Sequence, residues 1–248
     1  MPPKAPNARR SRVPRSVLVT DAGHAHVEGR NEDVAPVKDV APVLDDLADA
    51  LRAYDRLARL RLGDAGARPL VVTRAPARGE AARAGEADAL VLGSDDSEGG
   101  GDAIVLGVNV VGELEEALGA LAADHEIGHG RPVYLVFVGE ATAGGAAEAA
   151  CDGAGLVWAG GLVVPGWSLV PGLLRHPRMG ILRRPLSEAT DDLVAAIRSG
   201  LTVKEAARTF AWPARELVSD RDDLVTVRDS AASRLLAALA RRHAAGPS

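Results

Sequence analysis

Hydrophobic and polar residues follow two rhythms along this chain. Short unbroken runs of Val, Leu and Ile, each closed by Gly or a polar loop, alternate with longer stretches whose apolar residues recur every three or four positions. The runs SVLVT (16–20), PLVVT (69–73), ALVLG (89–93), AIVLGV (103–108), VYLVFV (133–138) and the stretch 156–164 predict strands covered on both faces. A strand with one wet face would alternate apolar with polar instead. The second rhythm predicts helices. Leu44, Leu47, Leu51 and Tyr54 mark one over 43–58, just after Pro42, and Leu114, Leu118 and Leu121 mark another over 113–124. An Ala-rich stretch at 144–154 and the segments 191–199 and 230–243, with Arg-rich ends, complete the set.

Buried strands alternating with helices predict an α/β protein, a doubly wound parallel sheet of about five strands with extra helices at its C-terminal end. The stretch 156–164 is read as the last strand. ADALVLG (87–93) and GDAIVLG (101–107) are near copies on either side of an acidic, Gly-rich loop, which predicts two neighbouring strands rather than a repeat array. Residues 1–15 carry Lys4, Arg9, Arg10, Arg12 and Arg15 without an apolar core and read as a disordered basic tail. Residues 16–248 read as one domain, with the helical extension starting at about 187.

Composition narrows the class of function. The 248 residues are 47% apolar and 25% charged, the balance of an ordinary globular chain, and a net charge of -5 supplies no general attraction to nucleic acid or to an anionic membrane. The longest apolar stretches fall short of the roughly 20 residues a spanning helix needs. Cys151 stands alone, so neither an internal disulfide nor a cysteine zinc cluster can form, in keeping with a cytoplasmic protein. The expected partner is a small-molecule substrate or electron acceptor, with no nucleic acid and no membrane, and with homo-oligomerisation open.

Three segments carry a closer likeness. They are DAIVLGVNVV (102–111), GRPVYLV (130–136), and Cys151 followed by Gly155-Leu156, Trp158 and Gly160-Gly161. Residues from Asp102 to about Thr209 resemble the flavodoxin-like NAD(P)H-dependent FMN oxidoreductases, one branch of which has a Cys, a short spacer, Gly-Leu, Trp and a pair of glycines ahead of an extended segment. The likeness covers under half of the chain. It implies FMN as cofactor and NAD(P)H as electron donor, with the flavin carrying the hydride and no side chain needed as acid or base. It also implies a binding edge made of Gly23, His24, His26 and Arg30 after the first strand, Val108, Asn109 and Val110 after the strand at 103–108, and Gly139, Thr142, Gly144 and Gly145 after the strand at 133–138. Two features support an alternative, a flavin-free binding or scaffold protein on the same fold. The first loop, DAGHAHVEGRN (21–31), adds Asp21 and Glu28 where a dianionic phosphate would sit, and Asn109-Val110-Val111 lacks the aromatic ring of the family's Pro-Val-Tyr.

Other motifs compete for the function. His125-Glu126-Ile127-Gly128-His129 matches the zinc-hydrolase pattern HExxH, whose two His share a helix face around a general-base Glu. Gly130-Arg131-Pro132 ends a helix directly after it, and no third ligand stands at a recognisable position. His24-Ala25-His26 places two imidazoles on one side of an extended segment, which reads as an exposed loop more readily than as a metal site. Cys151 reads as a small core residue of its helix. Trp158 and Trp167 bracket Gly160-Gly161 and Pro165-Gly166, as a pocket floor or as a lock on the last strand. The segment 197–218 has the outline of a helix-turn-helix, with Thr202 and Glu205 forming a capping box, but Trp212-Pro213-Ala214-Arg215 brings only one Arg to its recognition position.

Overall fold

A computed structural model describes residues 14, 16–21, 40–63, 70–74, 103–108, 114–122, 130–139, 144–165, 170–210 and 223–227. Its centre is a parallel sheet of six strands: β1 (Ser16–Asp21), β2 (Val71–Arg74), β3 (Ala103–Val108), β4 (Pro132–Val138), β5 (Val157–Val164) and β6 (Leu224–Thr226), in the spatial order β2-β1-β3-β4-β5-β6. Every neighbouring pair runs parallel. The helices are α1 (Ala41–Leu62), α2 (Leu114–Ala122), α3 (Gly144–Gly153), α4 (Val170–Leu174), α5 (Arg184–Ser199) and α6 (Val203–Thr209).

The unbroken apolar runs are explained by burial from both sides. All of β3 is buried, as is β4 after its first residue. Alternate side chains of these strands feed two separate cores. Val105, Tyr134, Val136 and Val138 join α1, α5 and α6 in one, while Ile104, Leu106, Val133, Leu135 and Phe137 join α2 and α3 in the other. Helices therefore cover both faces of a parallel α/β sheet. The register Leu18↔Ile104, Thr20↔Leu106 and Leu106↔Leu135 brings the carboxyl ends of β1, β3 and β4 to one edge.

Two expectations are corrected, and a third falls on residues that are not described. The stretch 156–164 is not the last strand: β6 extends the sheet beyond it through Gly161↔Leu224, Leu162↔Val225 and Val163↔Thr226, giving six strands where about five were expected. Three residues are too few to show a period, and β6 forms because β5 offers it an edge. Of the two near-copy segments only the second is described, as β3, whose neighbours are β1 and β4. Residues 89–93 lie outside the described residues. Finally, α5 begins at Arg184, well before position 191. Its first turns bury Ser187 and Thr190 among apolar residues, which hides the helical period, and the Thr190 hydroxyl is satisfied by the Leu186 carbonyl at 2.8 Å.

The helix ends follow local chemistry. Gly200 closes α5 in the left-handed region at φ 66°, where a residue with a Cβ is strained, and the Leu201 N–H donates to the Ala196 carbonyl at 3.2 Å. Thr202 then caps α6: its hydroxyl accepts from the Glu205 N–H at 3.1 Å and the Glu205 carboxylate accepts from the Thr202 N–H at 2.9 Å. Yet α6 buries Val203, Ala206 and Ala207 in the sheet core, so the described part of the helix-turn-helix outline serves packing. The remainder of that outline at 211–222, and the helix expected at 230–243, lie outside the described residues.

Candidate functional site

The carboxyl edge of the sheet holds four of the residues expected to bind a cofactor. Val108 ends β3, buried and paired with Phe137. Gly139 follows β4 at φ 95°, a conformation that favours glycine, and its N–H donates to the Val164 carbonyl at 2.9 Å, tying the turn to the end of β5. Gly144 opens α3 and is buried, and Gly145 beside it is exposed with open space where a side chain would stand. These four share the β3–β4 end of the edge. Gly23, His24, His26, Arg30, Asn109, Val110 and Thr142 lie outside the described residues, as do His125, Glu126, His129 and Trp167. Among the described residues no group of three His, Cys, Asp or Glu is arranged to hold a metal ion.

The start of α1 closes tightly on the end of β3. A Cβ at Gly107 would come within 2.6 Å of Leu44 Cδ1 and 2.7 Å of Val40 Cγ1, so this glycine lets the helix rest against the strand. The Val40 carbonyl accepts from Val43 N–H at 3.0 Å and Leu44 N–H at 3.1 Å, and Val40 itself is fully buried. An apolar residue thus stands where an anion-binding helix end would carry a hydroxyl.

Next to this edge the structure holds an ionic clamp that the sequence did not disclose. Asp46 of α1 accepts on Oδ1 from Arg178 Nη1 at 2.9 Å and from Arg183 Nη2, while Arg178 Nη2 reaches Asp191 Oδ1 at 2.7 Å. Arg183 Nη1 also donates to the carbonyls of Leu174 and His176 at 2.9 and 3.0 Å. The turn between α4 and α5 is thereby pinned at both feet to α1. Two arginines and two aspartates balance in charge, so the cluster positions helices and offers no net attraction to an ion. Partners more than a hundred residues apart leave no local pattern, which is why they were missed. Around the clamp, burial raises the Asp191 carboxyl above its ordinary range against the opposing pull of Arg178, and burial with Asp191 and Glu188 pushes Asp192 up to about 7.

Cys151 is buried in α3, as expected of a core residue, and burial with Asp152 and Glu148 nearby pushes its thiol up to about 12. A thiol held protonated at neutral pH is a poor nucleophile. The glycine pair between the tryptophans has a packing role. A Cβ at Gly160, which sits at φ 112°, would come within 2.6 Å of the Asp223 carbonyl oxygen, and one at Gly161 within 2.5 Å of that of Leu135. A register irregularity between Val133 and Tyr134 accompanies them, and together they admit β6 and α6 to the side of β5. The chain matches no family model, and searches of curated proteins and of solved structures return no match.

Proposed function

We propose that this chain is a flavodoxin-like FMN-dependent NAD(P)H oxidoreductase, acting in the cytoplasm on a small-molecule substrate or electron acceptor. The observation that carries the reading is the strand order β2-β1-β3-β4-β5, parallel throughout, with Val108, Gly139, Gly144 and Gly145 on its carboxyl edge. A sheet of this order reverses direction between β1 and β3, and open α/β sheets take ligands at such a reversal, where strand ends and helix N-termini meet. The residues after β4 suit a planar ring, since Gly139 and Gly145 present backbone without a side chain, and Gly144 sets the N-terminus of α3 at the same edge. Bound FMN would supply hydride transfer; the protein would hold and orient it. Asn109 and Thr142 would add polar groups for the ring, and His24, His26 and Arg30 would favour a phosphate by their charge.

One observation favours the second reading, a flavin-free binding or scaffold protein on the same fold. Val40 and Leu44 fill the space beside Gly107 with apolar side chains, at the helix end that would otherwise meet the phosphate. Titrating FMN into apo protein while following flavin fluorescence separates the two. The oxidoreductase reading expects saturable quenching, a flavin band at about 450 nm in the purified protein, and loss of binding in Asn109→Trp and Gly145→Glu with the fold retained. Absence of binding at high micromolar FMN selects the flavin-free reading.

A further inference from the structure

We infer that two side chains of α1, Arg52 and Asp55, close the free edge of the sheet against a second copy of this chain. Among the described residues β2 stands outermost on its side and pairs with β1 alone. A strand in that place presents a row of N–H and C=O groups to whatever strand comes next, and the same strand of another copy is always at hand. The sequence of β2 favours such pairing. Val71, Val72 and Thr73 are β-branched, and Val71 is 61% exposed.

That edge is engaged from within the molecule. The Leu70 N–H, at the entrance to β2, donates to Asp55 Oδ1 at 3.0 Å, and the Val72 carbonyl accepts from Arg52 Nη2 at 3.4 Å. Backbone groups two residues apart lie on the same side of a strand, so both contacts fall on one side of β2. Three residues of helix rise about 4.5 Å, against about 6.6 Å for two residues of strand, and the length of the Arg52 side chain makes up the difference. Asp55 is fixed in place: it is buried, and its Oδ2 accepts from Arg59 Nε at 2.9 Å and Nη2 at 2.8 Å. Arg52 in turn donates through Nη1 to Asp49 Oδ1 at 3.1 Å.

The excluded partner is the chain itself. Identical edges meet by symmetry about a two-fold axis, which at the middle of β2 would set the strand antiparallel to its copy. Arg52 opposes that meeting in two ways. It holds the Val72 carbonyl, and because it stands beside the middle of the strand, its guanidinium would be brought toward its own symmetry mate, like charge on like. An extended peptide of another protein would meet the first obstacle without the second, so the arrangement acts most strongly against copies of the same chain.

Sedimentation velocity on the full chain tests the inference. Arg52 is 41% exposed in its side chain, and alanine is a strong helix former, so Arg52→Ala removes the obstacle while keeping α1. The expected result is self-association at least about tenfold stronger than that of the wild-type protein, and stronger again in the double variant Arg52→Ala/Asp55→Ala. Adding Val71→Lys to Arg52→Ala should restore the wild-type behaviour, since a lysine on an edge strand opposes pairing. Circular dichroism checks that each variant is folded. If loss of the buried Asp55 carboxylate unfolds the chain, Arg52→Ala with and without Val71→Lys decides the matter by itself. A folded Arg52→Ala that sediments like the wild type at about 100 µM, or an association that Val71→Lys leaves untouched, would overturn the inference.

Discussion

Gly107 shows how one residue can set the distance between two elements. Leu44 Cδ1 and Val40 Cγ1 occupy the place of its missing side chain at 2.6 and 2.7 Å, so Gly107→Ala must displace these two side chains at the start of α1. Chemical denaturation should show a loss of about 1–3 kcal/mol, the usual cost of overfilling a packed core. Tyr134 makes the opposite use of a side chain: its hydroxyl, buried beneath α5, donates to the Leu201 carbonyl at 2.7 Å and closes the end of that helix. At Cys151 the thiol is pushed up to about 12 from an ordinary 9.0, chiefly by burial. The folded state therefore keeps its proton longer than the unfolded chain. Its contribution to stability is complete below about pH 9 and declines as pH rises towards about 12. A urea series from neutral to alkaline pH should show that decline, and it should be smaller in Cys151→Ala.

At the scale of elements, α5 and α6 are specified by their ends and by a single charged flank. Thr202→Ala removes the acceptor that holds the Glu205 N–H, and should cost about 1 kcal/mol in the denaturant midpoint. Asp192 on α5 is pushed up to about 7, first by burial and then by Asp191 and Glu188. A carboxyl whose folded value lies above its ordinary 3.8 is stabilising while protonated, and that contribution is lost as pH rises through about 7. Asp192→Asn should accordingly raise the melting temperature at pH 8 and leave it little changed at pH 4. The clamp on Asp46 joins elements that share no sequence neighbourhood. Asp46→Ala leaves Arg183, only 11% exposed in its side chain, without its carboxylate, a loss of about 3 kcal/mol. Freed from α1, the turn should be cut faster by trypsin after Arg175, Arg178 and Arg183 than in the wild-type protein.

For the whole molecule, the two-sided sheet is the organising feature, and β6 belongs to it fully. Val225 is completely buried in the core beneath α5 and α6. Val225→Asp would place an unpaired carboxylate there and should destabilise the protein by more than about 3 kcal/mol, measured by thermal unfolding. A change this large from a three-residue strand would mark residues 223–227 as part of the domain rather than an appendage. The parallel arrangement also gathers Val108, Gly139 and Gly144 on one edge although they are spread over many residues of chain, which is what gives the proposed flavin site its geometry.

What could be read from residues alone was whatever is decided locally. An unbroken run such as VYLVFV has to be covered on both faces, and β4 is. Leu44, Leu47 and Leu51 share a helix face and are buried, Thr202 and Glu205 close their capping box, and Cys151 fills a core. Of the proposed site, the strand-end positions Val108 and Gly139 were legible because a buried run must end in a turn at the sheet edge. Pairing between distant segments was decided only in three dimensions. Burial makes GDAIVLG a strand but does not name its neighbours, and β1 and β4 take both its sides through helices packed above and below. Leu224 to Thr226 has too few residues for a period and becomes a strand only against β5, through the room left by Gly160 and Gly161. Asp46 finds Arg178 and Arg183 because α1 and α5 lie on the same face of the sheet. Local pattern depends on the spacing of neighbours along the chain, whereas pairing and charge contact depend on which surfaces the core brings together, and no short window of sequence contains that.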